Sequence, residues 1–149
     1  MTGKAKTRKT KKRGRRFAKV DPVRSATMRA VRSRATTAEL RARSLISQLG
    51  GRASYNSPTL PGKPDIIFHS QRKAVFVHGC FWHGHSCPRG GRVPRTNRAY
   101  WVRKVASNRR RHRAAVRALR QLGWATVTLW ECELKNAARV SRRIGLCLA

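Results

Sequence analysis

Between residues 78 and 87 the chain reads His-Gly-Cys-Phe-Trp-His-Gly-His-Ser-Cys, which places three histidines and two cysteines within ten positions. Zinc takes four nitrogen or sulfur donors in a tetrahedron, and a cysteine cluster in a reducing compartment is more often a metal site than a disulfide. A third thiol, Cys132, follows Trp130 and Glu131. Cys80, His85, Cys87 and Cys132 therefore make a closed Cys3His set for a structural zinc, although the spacing is not that of a standard finger. Free buried cysteines are the alternative that the pattern leaves open. Cys147 is surplus and reads as a small buried residue near the end of the chain.

With those four assigned to structure, His78 and His83 remain, together with Asp65. Phosphodiester hydrolysis needs a hard cation to stabilise charge on the phosphate, a carboxylate to hold it and a base to deprotonate water. The chain has only five Asp and Glu in 149 residues, so each carboxylate stands out. Glu39 lies at a helix start, Asp65 directly follows Pro64, and Glu131 and Glu133 flank Cys132. Asp65 is equally readable as a turn residue and Glu39 as a helix cap. Phe81 and Trp82, between proposed ligands, either wedge between base steps or pack in the core.

The elements that must carry these residues are legible in outline. Thr36-Thr37-Ala38-Glu39 is a capping box, and Ala38, Ala42, Leu45 and Leu49 recur at helical spacing until Gly50 and Gly51. Residues 57–64, with three prolines, form a loop that leaves Asp65 at its exit. Ile66–Phe68 and Ala74–Val77 predict an antiparallel hairpin, and residues 78–98 an irregular excursion. Trp101, Val105, His112, Val116, Leu119 and Leu122 suit a long helix ended by Gly123, followed by a strand over Trp124–Trp130 and a last helix from Asn136 to about Ile144. This order predicts an α/β domain with a mixed central sheet flanked by helices.

The charge balance identifies the partner class. Lys and Arg number 36, for a formal charge of +31, which excludes an ordinary neutral or acidic enzyme and points to a polyanion. Ten of the basic residues and none of the acids fall in residues 1–20, which are expected to be a disordered basic arm ahead of a domain over 21–149. No apolar stretch approaches the roughly 18 residues of a membrane span, and the amino terminus lacks a signal-peptide core, so the expectation is a cytoplasmic, nucleoid-associated protein without a membrane partner.

The motifs Ser25-Ala26-Thr27-Met28-Arg29-Ala30-Val31, Thr37-Ala38-Glu39, Leu60-Pro61-Gly62-Lys63-Pro64-Asp65-Ile66, Val77 through His83, Asn108, and Gly123-Trp124 with Trp130-Glu131-Cys132 resemble those of the bacterial very short patch repair endonucleases. The resemblance implies a restriction-endonuclease-like fold with a structural zinc at Cys80, His85, Cys87 and Cys132. It implies a magnesium ion held by Asp65 and the backbone carbonyl of Val77. His83 would then assist deprotonation of water, His78 would contact the scissile phosphate, and Glu39 would support the site. Met28, Phe81 and Trp82 would intercalate beside the mismatch. The implied substrate is duplex DNA with a T:G mismatch, bound by a monomer, with mismatch-repair proteins as further partners. One position departs from the pattern: where the family has an aspartate that orients the catalytic histidine, this chain has His112. His83 is then expected to titrate lower and activity to be reduced. The competing reading is a non-catalytic zinc-containing DNA-binding protein.

If a wedge reads the mismatch, binding to a T:G duplex should survive salt that abolishes binding to the matched duplex, because phosphate contacts alone are lost steeply with salt. Gel shifts at two salt concentrations measure this. Equal loss on both duplexes would leave only charge-driven binding.

Overall fold

The computed structural model describes residues 36–148, with side chains to residue 145. The basic arm of residues 1–20, Met28 and the side chain of Cys147 lie outside the described residues. Helix α1 spans Thr37–Gln48. Strands β1 (Ser54–Tyr55), β2 (Ile66–Phe68) and β3 (Lys73–His78) follow. A one-turn helix α2 (Cys80–His83) precedes the long α3 (Arg98–Gln121), strand β4 (Ala125–Trp130), a 3-10 turn (Glu133–Lys135) and α4 (Ala137–Leu148). The four strands form one mixed sheet in the order β1-β2-β3-β4, with β3 and β4 parallel and the other pairs antiparallel.

The N-cap expected at Thr36 forms, with Glu39 meeting the Thr36 hydroxyl. Thr36 Oγ1 accepts from the Glu39 backbone N–H at 3.3 Å, and the Thr36 hydroxyl donates to Glu39 Oε1 at 3.0 Å. The buried face of α1 differs from the expected stripe: Glu39, Ala42 and Ile46 are buried, whereas Leu49, past the last turn, is exposed. The hairpin pairs Ile66 with Val75 and Ile67 with Ala74. Strand β1, too short for an alternating pattern, pairs outside β2. The last helix runs beyond Ile144, and Asn136 caps it by accepting the Arg139 N–H at 2.9 Å.

Strand alternation sorts the side chains into two layers. On one face Ile66, Phe68, Val75 and Leu129 pack with Ala42 and Ile46 of α1, Leu134, and Val140 and Ile144 of α4. On the other, Ala74 and Phe76 pack with Ala115 and Leu119 of α3. Because α3 crosses between the parallel strands β3 and β4, Phe76 stands beside Thr128 and His78 beside Trp130 in register. The loop before β2 closes on α3 at Gly62. Its φ of +75° suits glycine, and a Cβ there would lie 2.3 Å from that of Ala115.

A buried carboxylate ties the end of β4 to α4. Glu133 accepts from the Trp130 backbone N–H at 3.2 Å and from Arg143 Nη1 at 2.7 and 2.6 Å, and Arg139 approaches to 3.4 Å. Glu133→Gln would leave these cations under-compensated. Since both arginines are partly exposed, the expected destabilisation is about 1–3 kcal/mol rather than the larger cost of a fully buried pair. Urea unfolding checks this, and a change below about 0.5 kcal/mol, as for an ordinary surface substitution, would contradict it.

Candidate active site

Asp65 leaves the proline loop at the start of β2, and its position is fixed by the sheet. Its backbone N–H donates to the Val75 carbonyl at 3.0 Å, and its carboxylate Oδ2 accepts from the Val77 N–H at 2.7 Å. Burial pushes its pKa up to about 6, against the lowering effect of the Val77 hydrogen bond, and the Glu39 carboxylate adds to the rise. Arg43 lies one turn on from Glu39, with Nη2 3.8 Å from Glu39 Oε2. Asp65 and Glu39 thus line a cavity of about 560 Å³ together with Val77, His78, His83 and His112.

Three imidazoles line the same cavity. His78, last residue of β3, stacks on His83 of α2 with centroids 3.6 Å apart and planes 11° apart. His112 of α3 meets His78 edge-on at 4.2 Å, rests on Phe76 at 4.9 Å, and its Nε2 lies 3.2 Å from Thr128 Oγ1. Burial lowers His78 to about 2 and His83 to about 4, with the neighbouring imidazoles adding to the effect. His112 is lowered by burial as well. The rings are therefore held neutral near neutral pH. Buried His78 Nδ1 has no hydrogen-bond partner among the described residues.

Helix α3 fixes α2 in place. Asn108 Nδ2 donates to the Trp82 carbonyl at 2.8 Å, and Arg109 donates to the carbonyls of His83, at 2.7 Å, and Gly84. The region expected to be irregular thus contains a helical turn, held from outside because one turn is too short to be stable alone. Phe81 and Trp82 are half-buried, meet at 5.2 Å, and pack with Trp101 of α3 at 5.4 and 6.1 Å. They line a groove of about 850 Å³ that shares Glu39, Val77 and His83 with the Asp65 cavity. Helical periodicity gave Trp101 to the packing face of α3, and only the fold brings it to Phe81. Arg109 carried no signal of its own within a run of three arginines.

Cys80, His85, Cys87 and Cys132 converge from α2, the following loop and the end of β4, with their ligand atoms all within 4.8 Å of one another. Cys132 Sγ lies 3.5 Å from His85 Nδ1, and the His85 ring stacks on Trp130 at 4.3 Å. Burial pushes the Cys80 thiol up to about 12, whereas the His85 hydrogen bond brings Cys87 down to about 6. Gly90 allows the loop to fold onto His85, since a Cβ there would lie 2.2 Å from the His85 carbonyl oxygen. Three thiols and one imidazole within the span of one coordination sphere can hold a metal ion, and the soft donor set suits zinc. The cluster and the Asp65 cavity adjoin through α2, which begins at Cys80 and ends at His83.

The family model described as DNA mismatch endonuclease Vsr matches residues 18–89. The Type II nicking enzyme V.XorIIP of Xanthomonas oryzae pv. oryzae is 42% identical over 117 residues, covering 78% of this chain and 85% of that protein. The Type II nicking enzyme V.NmeAIP of Neisseria meningitidis is 36% identical over 122 residues, 82% of this chain and 86% of that one. The DNA mismatch endonuclease Vsr of Escherichia coli K12 is 36% identical over 118 residues, 79% and 75% respectively. Identity of 36 to 42% over more than three quarters of the chain places it in the DNA mismatch endonuclease Vsr family.

Proposed function

We propose that this protein is a DNA mismatch endonuclease that hydrolyses the phosphodiester 5′ of the thymine in a T:G mismatch, as left by deamination of 5-methylcytosine. The observation that carries the reading is the meeting of Asp65 with the stacked His78 and His83 in one cavity, continuous with the groove of Phe81 and Trp82. Family membership and the names of the relatives support it. The catalytic unit is residues 21–149 in a restriction-endonuclease-like fold, acting as a cytoplasmic monomer on duplex DNA, with mismatch-repair proteins as further partners.

The donors around the cavity fit a hard cation. The Asp65 carboxylate is desolvated enough to hold its proton to about pH 6, so a nearby cation favours its ionised form. Asp65 and the Val77 carbonyl would hold magnesium and Glu39 would support the site. Bound there, the ion supplies stabilisation of the charge that develops on the phosphate. His83, kept neutral by burial, can accept a proton from the attacking water, and His78 can hydrogen-bond a phosphate oxygen. Phe81 and Trp82, joined by Met28 from outside the described residues, are the wedge. The Cys80, His85, Cys87 and Cys132 set would hold a structural zinc that fixes α2, and with it His83 and the two aromatics.

A second reading, mismatch binding without cleavage, is favoured by one observation: the third group behind His78 and His83 is His112, which supplies no anion. A nicking assay on a duplex with one T:G mismatch separates the two. Magnesium-dependent nicking is expected, with Asp65→Asn lowering the rate at least about 10³-fold and His83→Ala about 10²- to 10⁴-fold, while mismatch binding is retained. Binding with no nick by the unaltered protein would establish the second reading, and unchanged nicking by Asp65→Asn would sink the site assignment. For the cluster, metal analysis of folded protein should find one equivalent of zinc, and Cys87→Ser should lower both zinc content and melting temperature. Less than one equivalent with unchanged melting would remove the structural role.

A further inference from the structure

Of the three rings in the Asp65 cavity, His78 and His83 have parts in the proposed hydrolysis and His112 has none. The ring contacts nevertheless run in sequence from His112. It meets His78 edge-on at 4.2 Å, and His78 stacks on His83 at 3.6 Å, whereas His112 and His83 are 6.3 Å apart. The residue that stands where an aspartate was expected therefore bears on His83 by way of His78.

The tautomer and orientation of an imidazole are set by the hydrogen bond that its second nitrogen makes. His78 lacks one at its buried Nδ1 among the described residues. Among those residues a single side-chain hydrogen bond reaches any of the three rings, and it joins His112 Nε2 to Thr128 Oγ1 at 3.2 Å. The sheet puts Thr128 there. It pairs in parallel register with Phe76, whose side chain faces α3, so the Thr128 side chain faces α3 as well. The Phe76 ring supports His112 edge-on from the same strand layer, at 4.9 Å. A valine would suit the strand as well as a threonine, because both are β-branched. What threonine adds is a hydroxyl, half-buried under the helix, where a polar group needs a partner. Burial favours the neutral form of His112, so the pair is a hydrogen bond between neutral groups rather than an ion pair.

We propose that Thr128 is a positioning residue of the nuclease site, acting through His112: its hydroxyl fixes the His112 ring, which in turn braces the His78 and His83 stack. The task expected of one carboxylate is divided here between a ring on α3 and a hydroxyl on β4. The effect on rate rests on the nuclease reading, and the effect on ring orientation rests on the geometry alone.

The test compares the full chain with Thr128→Val, Thr128→Ser, His112→Phe and the double variant of Thr128→Val with His112→Phe. Valine keeps the shape of threonine without the hydroxyl, serine keeps the hydroxyl, and phenylalanine keeps a ring without the nitrogen. On a T:G duplex with magnesium, Thr128→Val should lower kcat about ten- to a hundredfold, the loss typical of a group that orients reacting residues, with KM little changed. Thr128→Ser should restore most of the rate. His112→Phe should lose as much as Thr128→Val, and the double variant no more than either, since all three remove the same hydrogen bond. A packing role alone predicts the reverse order, with serine worse than valine, and that order would overturn the proposal. In nitrogen-15 NMR of the imidazoles, Thr128→Val should shift the ring resonances of His112 and His78 and leave those of the exposed His69 in place. Unchanged His112 and His78 resonances would overturn the proposal whether or not the protein nicks. Absence of nicking by the unaltered protein, with those resonances shifted, would sink the mismatch-endonuclease reading and uphold the anchor. Melting curves establish that the variants fold. If Thr128→Val does not, a loss of kcat in His112→Phe with none in Thr128→Ser supports the proposal, and equal rates overturn it.

Discussion

Strand β3 is buried on both faces, and the rest of the site depends on its register. Its even positions, Ala74, Phe76 and His78, face α3, while Val75 packs with the α1 and α4 layer and the Val77 N–H holds Asp65. A slip by one residue would exchange the faces, burying His78 against α1 and taking it away from His83 and His112. The parallel pairing with β4 and the antiparallel pairing with β2 both pin this register, so the core that stabilises the fold also aims the imidazoles.

From that strand the two chemical sites follow as a unit. The chain turns from His78 directly into α2, whose first residue joins the Cys and His cluster and whose last stacks on His78. Such a short helix has little stability of its own. Its geometry comes from Asn108 and Arg109, while Cys80 at its start joins the cluster. Helix α3 therefore clamps these four residues, and a loosened clamp would misplace His83, Phe81 and Trp82 together.

The acids of this very basic chain are used sparingly and locally. Glu39 and Asp65 share the cavity, Glu131 pairs with Arg89 at 2.9 Å beside the cluster, and Glu133 gathers Arg139 and Arg143 under β4. Two of the four are structural anchors that the spacing around Cys132 did not separate from ligands. The reason is physical: a carboxylate's role is set by burial and by the cations that reach it, and both arise from distant segments.

The sequence by itself determined whatever depends on local chemistry. The N-cap at Thr36, the hairpin over Ile66–Val77, the end of α3 at Gly123 and the donor set of the cluster were all readable, because capping, alternation, φ preference and ligand type act within a few residues. Only the tertiary structure decided what depends on packing across the chain. It brought Trp101 to Phe81 and stacked His78 on His83. It buried Ile46 where the pattern offered Leu49, found a helical turn within residues 78–98, and set Arg109 of α3 as a clamp and Arg111 in the cavity. Those outcomes are set by which face of each element is covered, and that is known only once strands and helices from distant parts of the chain have come together.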